Sequence, residues 1–175
     1  MPFRGAWAHH GAMLSERWTQ GLSYEALLPR LGAGRTRVEA FYQFLEPLDP
    51  LPGAARVLAL VEAWCPDCLQ AIPVLARLPL GVRFLFRDEN PDLAERYAKE
   101  GKRIVPTVVF LGEGWEELAR WHGPPGEARA FLGKLKAEGV PPGELLRRYH
   151  EAFPRFAQAM LAEWRALLVP PRRTV

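Results

Sequence analysis

Cys65 and Cys68 are the only cysteines in the chain, and they stand in the run Trp64-Cys65-Pro66-Asp67-Cys68. A dithiol of this spacing, placed where an apolar run ends and a helical pattern begins, reads first as a redox site. On a helix, residues three apart share a face with α-carbons roughly 5 Å apart. That separation lies inside the window of about 4.4–6.8 Å that a disulfide needs, so the pair can open and close with little backbone movement. The thiolate, and not the thiol, is the nucleophile. At a helix N-terminus it is favoured by unpaired N–H groups and the positive end of the dipole. Cys65 falls there and is expected to be the exposed, more acidic attacker. Cys68, one turn further in, is expected to be the buried resolving thiol that displaces a mixed disulfide. Asp67 beside two thiols opposes further negative charge. It should make Cys65 less acidic than its position implies and favour a reductant over a strong oxidant; alternatively, Asp67 caps the free N–H groups of the helix.

The flanking pattern supplies the frame such a pair needs. Arg56 to Val61 reads as a buried strand and Pro66 to Leu78 as a helix. Pro66 sits at the first turn, where a missing N–H costs nothing, and Pro73 is expected to kink the helix. Val82 to Phe86 reads as a second strand. Asn90 followed by Pro91 reads as a cap and first-turn proline, opening a helix to about Lys99. Val105 to Leu111 forms a third strand, Gly112-Glu113-Gly114 a hairpin turn and Trp115 to Trp121 a fourth strand, before a helix from Glu127 to Ala137. A helix-linked first pair of strands should be parallel and right-handed, and the hairpin antiparallel. The expected fold over residues 54–138 is therefore α/β, a mixed four-stranded sheet with helices on both faces.

Residues 1–53 read as a helical arm. Ser15 and Ser23 are its candidate caps, Gly32-Ala33-Gly34 interrupts it, and Pro47, Pro50, Pro52 and Gly53 form the linker. Residues 139–175 read as a C-terminal helical extension. Its stripe of Tyr149, Phe153, Phe156, Met160, Trp164 and Leu167, interrupted by Pro154, should pack on the arm or on a second subunit. A homodimer through the terminal helices is thus open.

Apolar residues make up 49% of the 175, charged residues 25%, and the formal net charge is +3, a composition for a soluble globular chain. Basic residues are scattered among acids, with no stripe of Lys and Arg interleaved with aromatics, so nucleic acid is not an expected partner. No run approaches a membrane span and no signal-peptide core is visible. A cytoplasmic location is expected, where a lone cysteine pair is reactive more often than structural. His9, His10 and His150 read as surface residues.

The Trp-Cys-X-X-Cys run after a buried strand, with Val105-Pro106-Thr107 before a later one, resembles the thioredoxin family over roughly Arg56 to Ala137. The resemblance implies a thioredoxin-like fold, with Cys65 and Cys68 as the catalytic pair. It implies that Pro106 is held in cis beside them, presenting the Val105 backbone for strand-like pairing with a substrate. It also implies that Trp64 shields the dithiol and offers a partner an apolar contact. More narrowly, Arg87-Asp88-Glu89-Asn90, Val105-Pro106-Thr107 and Arg120-Trp121-His122-Gly123-Pro124-Pro125 are similar to stretches of bacterial thioredoxin-like proteins with a helical arm. Two departures stand out. Pro66-Asp67 replaces the usual Gly-Pro between the cysteines. Ala59 stands where ordinary thioredoxins bury an aspartate that deprotonates the resolving thiol, so proton transfer falls to water, Asp67 or Glu62. Glu62 either points to the dithiol or lies in solvent at the strand end, and His122 is expected to arrive near Pro106.

The resulting expectation is a thiol–disulfide oxidoreductase acting on protein or low-molecular-weight disulfides. It would need no cofactor and would draw electrons from a reductase or thiol that the sequence does not identify. A non-catalytic binding or adaptor module on the same scaffold is the alternative. A metal site is disfavoured, because structural zinc wants four ligands and no second pair is at hand.

Overall fold

Val57 to Val61 are all buried, and their alternation sends Val57, Ala59 and Val61 to one apolar cluster and Leu58 and Leu60 to another. A strand apolar on both faces must lie inside a sheet covered on both sides. In the computed structural model, which describes residues 4–170, this strand is β1 (Arg56–Val61). It pairs in parallel with β2 (Gly81–Phe86) and antiparallel with β3 (Thr107–Leu111), and β3 pairs antiparallel with β4 (Glu117–His122). The order β2-β1-β3-β4 is the expected mixed four-stranded sheet. β3 starts at Thr107 and not at Val105, since Pro106 has no N–H to give a ladder. β4 starts at Glu117 because the connection runs through Glu116, with Trp115 at φ 66° and a register shift between Phe110 and Leu111.

On one face, α1 (Arg4–Gln20) and α5 (Pro91–Arg96) contribute Leu14 and Leu93 to a cluster with Leu58, Leu60, Leu85, Val109 and Leu111. α1 runs straight through Ser15, so Ser15 is no cap; its carbonyl accepts the Thr19 hydroxyl instead. Ser23 does cap α2 (Tyr24–Leu27), accepting from Ala26 N. Asn90 makes no cap bond. Its amide nitrogen donates to Phe86 O and its carbonyl accepts from Arg17, which ties α1 to the end of β2. α5 stops at Arg96, short of Lys99, as Tyr97 turns into the core and a tight turn begins at Lys99.

The other face carries α3 (Arg35–Phe44), α4 (Pro66–Ala76) and α8 (Phe153–Leu168). α8 belongs to the main core: Phe153, Ala157, Met160, Leu161 and Trp164 are buried with β-strand residues. Trp164 packs edge-on against Trp121 at 5.5 Å, and Phe153 stacks on Phe41 of α3 at 3.9 Å between ring centroids. The stripe is covered within the chain except for Leu167, which is exposed. The preceding helices are α6 (Gly126–Ala137) and α7 (Pro142–Glu151). The chain breaks at Ala152, which puts Pro154 in the first turn of α8 and not in its interior, because a proline there lacks a required donor. His150 is a second correction. It lies buried beside Phe41 and Tyr149, and desolvation, then the Arg37 charge, pushes its pKa down to about 4. Residues 1–3 of the arm and 171–175 of the extension lie outside the described residues.

A helix that fills the main core cannot be a separable appendage. Trp164→Ala should lower stability by about 3–5 kcal/mol through the cavity it leaves. Chemical denaturation followed by far-ultraviolet circular dichroism should show one shifted transition. Two transitions, or no shift, would show that α8 does not share the core of the sheet.

Candidate active site

β1 ends at Val61, and four residues later Cys65 becomes the N-cap of α4. Its Sγ accepts the backbone N–H of Cys68 at 3.3 Å, the role a serine or aspartate oxygen plays at an ordinary helix start. The Cys65 thiol also lies 3.7 Å from the Val105 carbonyl, to which it can donate. Both cysteines are free. Cys65 is more enclosed than its position suggested, with 4% of its surface exposed; Cys68 has none. Cys65 nonetheless lines a cleft of about 570 Å³ together with Trp64, Pro66, Asp67, Val105 and Gly123.

The two sulfurs are shifted in opposite directions. Cys65 has its pKa lowered, first by a hydrogen bond from the Cys68 thiol, while burial and then the Asp67 charge act the other way. Cys68 is pushed well above the ordinary range, chiefly by burial and then by its partner. Of the two, the sulfur that faces the cleft loses its proton more readily.

Asp67 is not a helix cap. Its carboxylate accepts the Tyr149 hydroxyl from α7, and burial raises its pKa above the usual aspartate range. Tyr149 is anchored in turn: its carbonyl accepts Gln70 Nε2 at 3.1 Å, and its ring packs against Phe156. The sequence held a signal for this, because a hydroxyl within an apolar stripe must find a buried partner.

Glu62 takes neither expected position. It is 7% exposed, and its Oε1 accepts Asp88 N–H at 2.9 Å, which fixes the short turn after β2. Ala59 is wholly buried in the main core. His122 pairs in register with Thr107, but its Nε2 lies 2.8 Å from the Tyr97 carbonyl, and the residue does not line the cleft. The Val105–Pro106 peptide is cis, as is Gly123–Pro124. Gly123 N donates to Pro106 O at 2.9 Å, and a β-carbon on Gly123 would come within 2.8 Å of the Pro106 ring and of Trp121. Only glycine allows that approach. The Thr107 hydroxyl donates to Ile104 O at 2.7 Å, holding the segment before β3. Trp64 is 64% exposed, with the Arg87 guanidinium 5.5 Å from its ring centroid, so it is not core.

Among the described residues no three His, Cys, Asp or Glu side chains are grouped to hold a metal ion. None of the described helices is long and apolar enough to cross a membrane.

Comparison with known proteins agrees with this geometry. A family model described as thioredoxin matches residues 36–137. A crystal structure of a protein of unknown function from Pseudomonas aeruginosa superposes with a TM-score of 0.64 at 22% identity, covering 88% of this chain and 95% of that one. An HIV epitope-scaffold gives 0.61 at 20% identity, covering 88% and 96%. At such identities these two show the fold alone. No curated protein matches.

The pKa of Cys65 should respond to its two neighbours with opposite signs. The rate of alkylation by iodoacetamide against pH should inflect below the value of an ordinary thiol. Asp67→Asn removes an opposing charge and should move the inflection down, whereas Cys68→Ala removes the donating thiol and should move it up. An unmoved inflection in either variant would contradict the electrostatics described.

Proposed function

The chain belongs to the thioredoxin family, and we propose that it is a thiol–disulfide oxidoreductase working through Cys65 and Cys68. The observation that carries this reading is the placement of the sulfurs: Cys65 caps α4 and lines the cleft with its pKa drawn down, and Cys68 lies wholly buried behind it with its pKa pushed up. The Cys65 thiolate attacks a substrate disulfide and releases one substrate thiolate. Cys68 then attacks the Cys65 sulfur of the mixed disulfide, releasing the second, and a Cys65–Cys68 disulfide remains. Two electrons pass to the substrate. A reductase or a low-molecular-weight thiol must return them, without a cofactor bound to this chain.

The resolving step needs Cys68 to lose its proton. Formation of the mixed disulfide removes the Cys65 negative charge, one of the causes that hold the Cys68 pKa up. Water or Asp67, whose charge both sulfurs feel, takes that proton, while Glu62 Oε1 is directed to the Asp88 N–H in the turn after β2. Asp67 also disfavours extra negative charge beside the dithiol, which supports a reducing role. Val105, Pro106 and Thr107 form the backbone ledge beside Cys65, and exposed Trp64 offers the apolar contact. Pro66 shapes the opening of α4, and His122 is a positioning residue for the strand beside Thr107.

The burial of Cys65 favours one other reading, a non-catalytic binding module on the same scaffold. A single experiment separates them. With hydroxyethyl disulfide or insulin as substrate, Cys68→Ser should accumulate a mixed disulfide at Cys65, detected by intact mass, and Cys65→Ser should accumulate none. If the trap captures neither substrate and the wild type forms no Cys65–Cys68 disulfide, the oxidoreductase reading fails.

A further inference from the structure

Beyond Trp64 and the dithiol, the cleft wall is built from charge. Arg87, Lys99, Lys102, Arg103 and Arg129 line it, against two carboxylates, Asp67 and Glu100. Asp67 is already engaged by the Tyr149 hydroxyl. The chain as a whole carries a formal net charge of only +3, and elsewhere its arginines pair along helices and strands, as in Arg35–Glu39, Arg120–Glu117 and Arg147–Glu151. In the cleft Arg87 still meets Asp88 and Arg103 meets Glu95, but such surface pairs hold little energy. No carboxylate lies within ion-pairing distance of Lys99, Lys102 or Arg129 among the described residues.

The lysines are not loosely placed. Lys99 and Lys102 exchange both backbone N–H···O bonds at 2.9 Å across Glu100 and Gly101, whose φ angles are 53° and 75°. Two positive φ values make the tight turn that sets its flanking residues directly opposite each other. Residues so opposed have β-carbons about 4.5–5.5 Å apart, and like charges there are destabilising. Glu100 adds the strain of a side chain in the left-handed region. Two arginines are oriented by backbone carbonyls, Arg87 by Arg103 O and Arg129 by His122 O, each at 3.1 Å. A set of cations lining one cleft beside a sulfur nucleophile favours an anion.

We propose that the cleft selects low-molecular-weight disulfides bearing carboxylates on both arms. This rests on the oxidoreductase reading and specifies its substrate class. The volume of about 570 Å³ suits a small ligand. The Cys65 thiolate attacks the nearer substrate sulfur, the S–S bond breaks, and the first arm leaves as a carboxylated thiolate that takes a proton from solvent. Cys68 displaces the second arm in the same way and gives up its own proton. The reduced dithiol thus becomes a disulfide and the substrate becomes two thiols, so a single turnover needs no other reductant.

The test uses pre-reduced, full-length protein in stopped-flow single turnovers. Three symmetrical disulfides serve as probes: dithiodipropionate (dianion), hydroxyethyl disulfide (neutral) and cystamine (dication). Each rate is divided by the rate of the same disulfide with dithiothreitol, which removes intrinsic reactivity. At low salt the normalised rate should be at least about tenfold higher for the dianion than for the neutral probe, and lowest for the dication. The preference should shrink as salt rises, as exposed charges are screened. In Lys99→Gln/Lys102→Gln, both exposed positions, the dianion-to-neutral ratio should fall several-fold. Equal normalised rates for all three probes, or a preference for the dication, would overturn the substrate class and leave the oxidoreductase reading standing. If none of the three oxidises the dithiol, both readings fail.

Discussion

A single hydrogen bond organises the site, the one from the Cys68 N–H to the Cys65 sulfur. It makes a cysteine the cap of α4 and puts the sulfur where free N–H groups and a buried thiol converge on it. Keeping that bond requires that the β1–α4 turn be immobile, and the surroundings supply the rigidity. β1 is packed on both faces. Gly34 lets the start of α3 approach α4 so closely that a β-carbon there would come within 2.7 Å of Leu69 Cδ2. From the opposite side Gly123 is pressed against Pro106. Three segments distant in sequence thus meet around one helix start, and each approach depends on side-chain size rather than on polarity.

Within that frame, opposed electrostatic effects decide how reactive the sulfur is. The helix start and the Cys68 thiol draw Cys65 towards thiolate; burial and the Asp67 charge hold it back. Burying a carboxylate next to a dithiol is costly unless it is hydrogen-bonded, and the Tyr149 hydroxyl meets that need. Tyr149 comes from α7, within the C-terminal helices that also fill the main core through α8. Those helices therefore have two physical effects at once. They cover the apolar face of the sheet, and they hold the one carboxylate that modulates the sulfur pair.

The sheet was legible because its signals are local. An apolar run, a helical stretch and a glycine-rich hairpin each constrain their own residues, so β1 was bounded correctly and β2, β3 and β4 were displaced by two residues or fewer at either end. The dithiol was legible for the same reason. Misread ends share a different cause. Ser15 has the side chain of a cap, yet α1 continues past it because Leu14 is buried against the sheet. Asn90 also looks like a cap, but Arg17 and the Phe86 carbonyl claim its side chain. Glu62 was open between two positions and took a third, set by an N–H from the turn after β2. His150 reads as a surface residue until α7 folds it under Phe41. In each case a partner far along the chain decided the outcome, and spacing within a segment carries no trace of it.

The same reasoning explains why the charged wall was invisible in one dimension. Read in order, Arg87, Lys99, Lys102, Arg103 and Arg129 are interleaved with Asp88, Glu89, Asp92, Glu95, Glu100 and Glu127, and the balance looks neutral. Folding draws part of the acidic set off: Glu89 pairs with Arg30, Asp92 with Arg17 and Glu127 with Arg155, while Asp88, Glu95 and Glu100 stay beside the wall. The arm is thus an electrostatic participant as well as a packing one, since Arg17 and Arg30 take up acids that would otherwise neutralise the neighbourhood of the dithiol. Charge excess at a site can arise this way from an evenly mixed sequence, by removing counter-charges rather than by concentrating one sign. The motif places a thiol at a cleft, and the flanking helices shape the potential it faces.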